Sequence, residues 1–263
     1  MKDLDPQEGR YILVRFLLFN LLIISNFSLA KIASFDLCAD QWLMTFAKPE
    51  QVAFLTPLSK DSSISYYHEK AKGYAVDIPS IENLISRDIK TVIATDHMGG
   101  SIKKILEKNG IKVVIIPTIT TLNQLILWAE KIKDLTHGDN EIIMKLQSVK
   151  DIKTPKKTAL YIGTAGSSPG QQTLVNNALS LAGFKNINRY KGWQYNDIET
   201  IIVQNPDYIF TAGTLSKKFI SGGYHKYEKV TQAVVIPISQ SYTVCACPKA
   251  FIDLVKVFAD AKK

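Results

Sequence analysis

Short β-branched runs alternate along this chain with stretches at helical spacing. Residues 32–35 and 52–55 read as strands, separated by a helix over 37–47 that stops at Pro49. Residues 91–95 and 113–116 give two further strands, the last halted by Pro117. Between them a helix over 101–108 opens after Gly99 and Gly100 and closes on Asn109 and Gly110. Strands and helices in alternation argue for a parallel sheet of about four strands. Leu122, Leu125, Ile126, Ala129, Ile132 and Leu135 then follow a helical period, with a stop at His137 and Gly138. Ile142, Ile143, Leu146 and Val149 continue it to about Ile152, before Pro155. A second strand–helix series follows: a strand over 159–162, a helix over 173–181 closed by Gly183, strands over 208–212 and 234–237, and a last helix over 248–261. Polar or Gly-rich loops occupy 61–74, 163–170 and the surroundings of Gly222 and Gly223.

One unit occurs twice. Ser80, Ile81, Glu82, Asn83, Leu84 and Ile85 lead to the apolar run at 91–95. Asp197, Ile198, Glu199, Thr200, Ile201 and Ile202 lead in the same register to the run at 208–212. Ser80 and Asp197 are equivalent N-caps, each with a Glu two residues later in the first turn. A repeated helix–strand unit predicts two similar α/β lobes, and two lobes imply a cleft where a small molecule binds. No flexible Gly/Ser linker is present, so a helix, a stiff tether, is expected to join the lobes.

The chain of 263 residues is long enough to bury a substantial core, and 46% hydrophobic and 21% charged residues are ordinary for a globular protein. Its start is not ordinary. Residues 16–27 are mostly apolar, Arg10 and Arg15 precede them, and Ser28, Leu29 and Ala30 form a small-x-small site. The run is short for a membrane span and fits a secretory signal peptide over 1–30, with a mature start at Lys31 and export to the periplasm. Asp3, Asp5 and Glu8 are unusual in such a leader, which leaves an uncleaved anchor as the alternative. No Cys stands at the cleavage site to take a lipid. The formal charge of +8 favours encounters with anionic partners or simply solubility. Aromatic and basic residues are not interleaved and no nucleic-acid motif occurs, which argues against nucleic acid. In an exported chain the three cysteines can oxidise. A bond from Cys38 to one of the other two would join the ends of the chain, with Cys38–Cys245 the candidate pair and three buried thiols the alternative.

Candidate chemistry is sparse. His68, His97, His137 and His225 form no HxxxH pair. His137 suits a helix end, and His97 follows a strand at the carboxyl edge, where α/β sheets bind ligands. The loop at 163–170 resembles a phosphate cradle but lacks the Lys-Ser/Thr ending of a P-loop and the GxGxxG spacing, so it is a ligand-contacting or merely tight loop. Ser167 is in no GxSxG elbow, and no pair of carboxylates stands out for acid–base work. Loop aromatics Tyr66, Tyr67, Tyr74, Trp193, Tyr195, Tyr224, Tyr227 and Tyr242 can line a cleft or pack the loops onto the body.

From about Lys31 to Lys263 the chain resembles the periplasmic substrate-binding proteins of the helical-backbone class, the cobalamin and iron-complex receptors of ABC importers. The resemblance is carried by Ala33 to Gln41, by the two Ile-Glu helix starts, by Asn205-Pro206-Asp207-Tyr208-Ile209, and by Val244-Cys245-Ala246-Cys247-Pro248, which resembles the Cys-Gly-x-Pro turn of one subgroup. Arg87-Asp88-Ile89-Lys90 departs from the pattern by lacking the Pro. The resemblance implies an N-terminal lobe over 31–139, an interlobe helix over 140–153 and a C-terminal lobe over 154–263, with parallel sheets and the cleft at the carboxyl ends of their strands. By similarity Ser59, Lys60, His97, Met98, Ser167, Ser168 and Tyr242 fall on cleft loops, and Trp193 matches a ligand-contacting Trp of the cobalamin receptors. Glu82 and Glu199 match the acidic residues that dock such receptors on their permease; a first-turn dipole role is the plain alternative. The implied protein is a monomeric, non-enzymatic receptor without a resident cofactor. It would carry a corrinoid first, haem or a ferric siderophore next, to an ABC permease dimer. A two-lobed metallochelatase-like enzyme is the alternative, distinguished by turnover and an essential His/Glu pair.

Overall fold

Asp36 shows how the first lobe is assembled. Its Oδ1 accepts the Ala39 amide at 2.9 Å, which caps helix α1 (Leu37–Phe46). Its Oδ2 accepts the Thr95 amide at 2.6 Å and the Thr95 hydroxyl at 3.0 Å, so the same carboxylate clips the end of a neighbouring strand. Such caps contribute about 1 kcal/mol each. This computed structural model describes residues 31–149, 157–164, 166–212 and 232–262. The leader expected at 1–30 lies outside the described residues, as do Gly222, Gly223, Tyr224, His225 and Tyr227.

Strands β1 (Ile32–Ser34), β2 (Val52–Phe54), β3 (Thr91–Thr95) and β4 (Lys112–Ile116) form a parallel sheet in the order β2-β1-β3-β4. Strands β5 (Lys157–Ile162), β7 (Phe184–Asn186), β9 (Tyr208–Ala212) and β10 (Val234–Ile238) form a second, in the order β10-β9-β5-β7. A small antiparallel ribbon pairs β6 (Ser167–Pro169) with β8 (Trp193–Tyr195). The protein is thus α/β with two parallel-sheet lobes.

Strand alternation divides the core. Ile93 in β3 and Tyr161 and Phe210 in β5 and β9 point inward, into one continuous apolar cluster. Their chain neighbours Val92 and Ala94, and Leu160, Ile162 and Ile209, point outward into two separate clusters. The outer cluster of the first sheet is covered by Leu84 of α2 (Ile81–Ser86) and Leu106 of α3 (Gly100–Lys108). That of the second is covered by Ile201 of α7 (Ile198–Gln204). Between the sheets lies a helical layer of α1, α4 (Leu122–Thr136), α5 (Glu141–Gln147), α6 (Leu174–Leu181) and α8 (Pro248–Asp260). Trp42, Leu125, Leu146, Leu179 and Phe258 meet there with 1% exposure or less. Each such side chain contributes about 1.5–3 kcal/mol.

The repeat is realised structurally. Ser80 accepts the Asn83 amide and Asp197 the Thr200 amide, capping α2 and α7. Each helix leads into an interior strand of its sheet, β3 and β9. The helix expected over 140–153 is described over Glu141–Gln147 only, and residues 150–156 lie outside the described residues. The longer helix is α4, and its two ends touch different lobes. The Leu122 amide donates to Asn177 Oδ1 of α6 at 2.8 Å, while the Thr136 carbonyl accepts Gln51 Nε2 at 2.7 Å. His137, left-handed at φ 52°, closes α4, and a Cβ on Gly138 would come 2.6 Å from the Phe46 carbonyl oxygen. The chain therefore needs Gly there to turn from α4 into α5.

Candidate ligand-binding cleft

The carboxyl ends of β3 and β4 open onto a cavity of about 360 Å³. Residues from both lobes line it. The first lobe supplies Asp96, His97 and 117–120, the second supplies 172–175, Trp193 and 242–246, and Trp42 and Phe251 reach it from the helical layer. A volume of this size suits a small-molecule site, and its position at the strand ends is where α/β folds bind ligands.

Asp96 organises the first-lobe rim. Its Oδ2 accepts the Thr118 amide at 2.8 Å and the Thr118 hydroxyl at 2.7 Å, tying the loop after β3 to the loop after β4. Burial would raise the Asp96 carboxyl, but the two Thr118 donors outweigh it and hold the group below the usual aspartate range. The ionised carboxylate stands 3.7 Å from Nδ1 of the exposed His97.

On the other side Trp193 is 46% exposed and sits edge-on to Tyr161, with ring centroids 6.1 Å apart. Tyr161 shares a hydrogen bond of 2.7 Å with the Thr243 hydroxyl, and burial pushes its phenol up to about 12. The β6–β8 ribbon carries Trp193 because Gly170 permits close approach. A Cβ there would stand 2.1 Å from the Tyr190 carbonyl oxygen. The Gly163 and Gly170 amides donate to Ser167 and Gly192 carbonyls at 2.8 and 2.7 Å. These two donors are spent on the chain itself and are not free to hold an anion.

Of the residues expected at the site, His97, Trp193 and Tyr242 line the cavity together. Ser167 lines an adjoining hollow of about 310 Å³ that shares Trp193, Thr243 and Val244 with it. The others do not reach it. Met98 is buried in the outer core of the first sheet. Ser59 is fully buried and donates to the Thr56 carbonyl at 2.7 Å. Ser168, one residue from Ser167 on an extended strand, points inward with its hydroxyl unpartnered. Lys60 is exposed and lines neither hollow. Tyr66, Tyr67 and Tyr74 hold their loop to the body: Tyr66 donates to Asp253 of α8, and Tyr74 to the Ala47 carbonyl at 2.8 Å. Trp42, Asp96, Thr118 and Gln172 are cavity residues not singled out from the chain. For Asp96 and Thr118 the signal was present, since Asp96 directly follows a predicted strand and Thr118 stands two residues past the end of another.

Cys38 and Cys245 are joined in a disulfide, Cα atoms 5.1 Å apart, and both line the cavity. Cys247 is free and fully buried, and burial pushes its thiol up. Glu82 and Glu199 are exposed in the first turns of α2 and α7. Among the described residues no three His, Cys, Asp or Glu side chains gather as a metal-holding group. Nor, among them, is any helix long and apolar enough to cross a membrane.

No protein-family model matches the chain, and no curated protein matches it. Solved structures do. A possible iron-binding periplasmic solute-binding protein from Staphylococcus epidermidis superposes with a TM-score of 0.68 at 19% identity, covering 90% of this chain and 100% of that one. The periplasmic haem-binding protein HutB of Vibrio cholerae gives 0.67 at 16% identity over 89% and 99% of the two chains. The periplasmic vitamin B12 binding protein BtuF of Vibrio cholerae gives 0.63 at 16% identity over 88% and 95%. With two parallel-sheet lobes about a shared helical layer and a cleft at their strand ends, the chain has the fold of these periplasmic solute-binding proteins.

Proposed function

We propose that this protein is the periplasmic solute-binding component of an ABC importer, capturing a metal complex and delivering it to the permease without chemical turnover. The observation that carries the reading is the cleft itself: a concave site walled by Trp42, Trp193 and Tyr242, with Asp96, Thr118 and Gln172 as polar groups. A largely apolar lining with aromatic side chains suits an organic macrocycle better than a bare ion. A corrinoid leads, haem follows, then a ferric siderophore. The fold shared with vitamin B12, haem and iron-binding proteins supports a metal-complex ligand and does not rank these candidates. His97, exposed on the rim beside Asp96, is our candidate for contact with such a complex.

Delivery is assigned to Glu82 and Glu199. Each is exposed beside an exposed isoleucine three residues on, Ile85 and Ile202, so each lobe offers a carboxylate and an apolar contact on one helix face. Two such matched patches suit a dimeric permease that presents a basic pocket to each lobe.

Two of the three tryptophans line the cavity, so their fluorescence reports occupancy. The protein is titrated in parallel with cyanocobalamin, haemin and a ferric catecholate siderophore. Saturable one-to-one quenching by one of them, with the ligand recovered unchanged, is the expected result. No saturable quenching by any of the three, or conversion of the ligand, would overturn the reading.

A further inference from the structure

A covalent bond crosses between the lobes at the cleft. Cys38 lies in the first turn of α1, two residues after the carboxylate that clips β3. Cys245 lies 207 residues later, between β10 and α8, on the segment that supplies Tyr242, Thr243 and Val244 to the cleft wall. Apart from the chain itself, the described residues of the two lobes otherwise meet through side-chain packing and hydrogen bonds, such as Leu122 to Asn177 and Tyr66 to Asp253, which can slide or break. The disulfide cannot lengthen. Its position also decides how it is reached. Cys38 is half-buried and Cys245 is 6% exposed, and both border the cavity, so the route to the sulfurs runs through the cleft.

We propose that the Cys38–Cys245 disulfide is a redox-sensitive strap, which holds the second-lobe wall of the cleft at a set distance from the first lobe and is cut by a dithiol entering the empty cleft. The proposal rests on the cleft being the binding site. In the cutting step a thiolate of the dithiol attacks the Cys38 sulfur, the more exposed of the two. The S–S bond breaks and Cys245 leaves as a thiolate that takes a proton. The second thiol of the reagent then closes on the mixed disulfide and releases Cys38. The dithiol becomes a cyclic disulfide and the protein gains two thiols, a two-electron exchange. Cys247 is no substitute partner, because its thiol is fully buried beside Thr45 and kept protonated. Once cut, the wall segment is free to move away and the cleft widens.

The test measures the separation of the lobes in folded protein. Spectroscopic labels are placed through non-cysteine chemistry at Lys104 on α3 and Val203 on α7, both exposed. Distance distributions are recorded for oxidised protein, dithiol-treated protein and Cys38→Ser/Cys245→Ser, each also in a Cys247→Ser background. The expected result is a distribution that broadens and shifts outward in both strapless forms, with far-ultraviolet dichroism unchanged and no effect of Cys247→Ser on the oxidised form. An unchanged distribution after full reduction would overturn the proposal. So would loss of dichroism on reduction of the wild-type chain, which would make the bond a staple of the whole fold. If the double variant does not fold, the dithiol-treated wild type decides. No ligand is used, so either outcome leaves the receptor reading to its own titration.

Discussion

At the scale of single residues, two side chains carry separable consequences. Trp193 stands half exposed on the short β8 strand, its ring against Tyr161 and lining the cavity. Trp193→Ala should weaken ligand binding by about 1–3 kcal/mol, the scale of an aromatic anchor. Calorimetry on the folded variant checks this, and unchanged affinity would mean that the ring only packs its ribbon. Asp40 is different in kind. It is fully buried on α1, and its oxygens accept the Thr56 amide at 2.9 Å and the Thr56 hydroxyl at 2.5 Å. Burial nonetheless raises it to about 7. A carboxyl raised above its unfolded value binds its proton more tightly in the folded chain. Its stabilising contribution is complete below about pH 4 and is lost as the pH climbs to about 7. The loss is about 4 kcal/mol at most, at 1.36 kcal/mol per unit. Denaturant melts of Asp40→Asn between pH 4 and 7 should show a flatter slope than the parent; parallel slopes would rule Asp40 out as the source. Residues of this kind were only partly legible from the chain. His97 and Trp193 were visible because they follow strands or match a pattern. Met98 was misplaced because the turn after β3 directs it into the outer core, a choice made by packing against Leu106 and Ile111.

At the scale of elements, the repeated helix start governs the expectation. α2 and α7 are already capped by Ser80 and Asp197, which take the Asn83 and Thr200 amides, so each helix start keeps its N-cap without Glu82 or Glu199. Backbone and Ser80 hydrogen bonds hold Glu82 below the usual glutamate range, so it stays ionised at neutral pH. Glu82→Ala/Glu199→Ala should therefore abolish uptake and weaken permease docking, with ligand affinity and melting temperature little changed. Measured together on one double mutant, normal transport would end the docking assignment, and a fallen melting temperature with intact transport would favour the dipole role. The strand and helix series was readable because burial imposes periods of 2 and 3.6. The β6–β8 ribbon was not, since three-residue strands made of Ser, Pro, Trp, Gln and Tyr carry no period.

At the scale of the whole molecule, the shared helical layer and the interlobe disulfide together restrain the cleft. Ligand should change the shape of the oxidised protein only slightly. Small-angle scattering with and without the ligand found by titration checks this; a change of several ångströms in the radius of gyration would count against the architecture. The local periods of the sequence by themselves determined most of the strands and helices, though not β6, β7 or β8, together with the two-lobed repeat and the edge of the sheet at which a ligand would sit, because those properties are set by residues close together in the chain. Which loops face one another was decided only in three dimensions. Asp96 and Thr118 are brought together across two strands, Trp42 reaches the cavity from a helix, and Gln172 comes from the other lobe. The cysteine pairing belongs to the same class. Cys245 and Cys247 are two residues apart, and only the fold turns Cys245 to the cleft while burying Cys247 at the start of α8 beside Thr45. Contacts between residues far apart in sequence leave no local period to read, so they are fixed by how the packed layers meet.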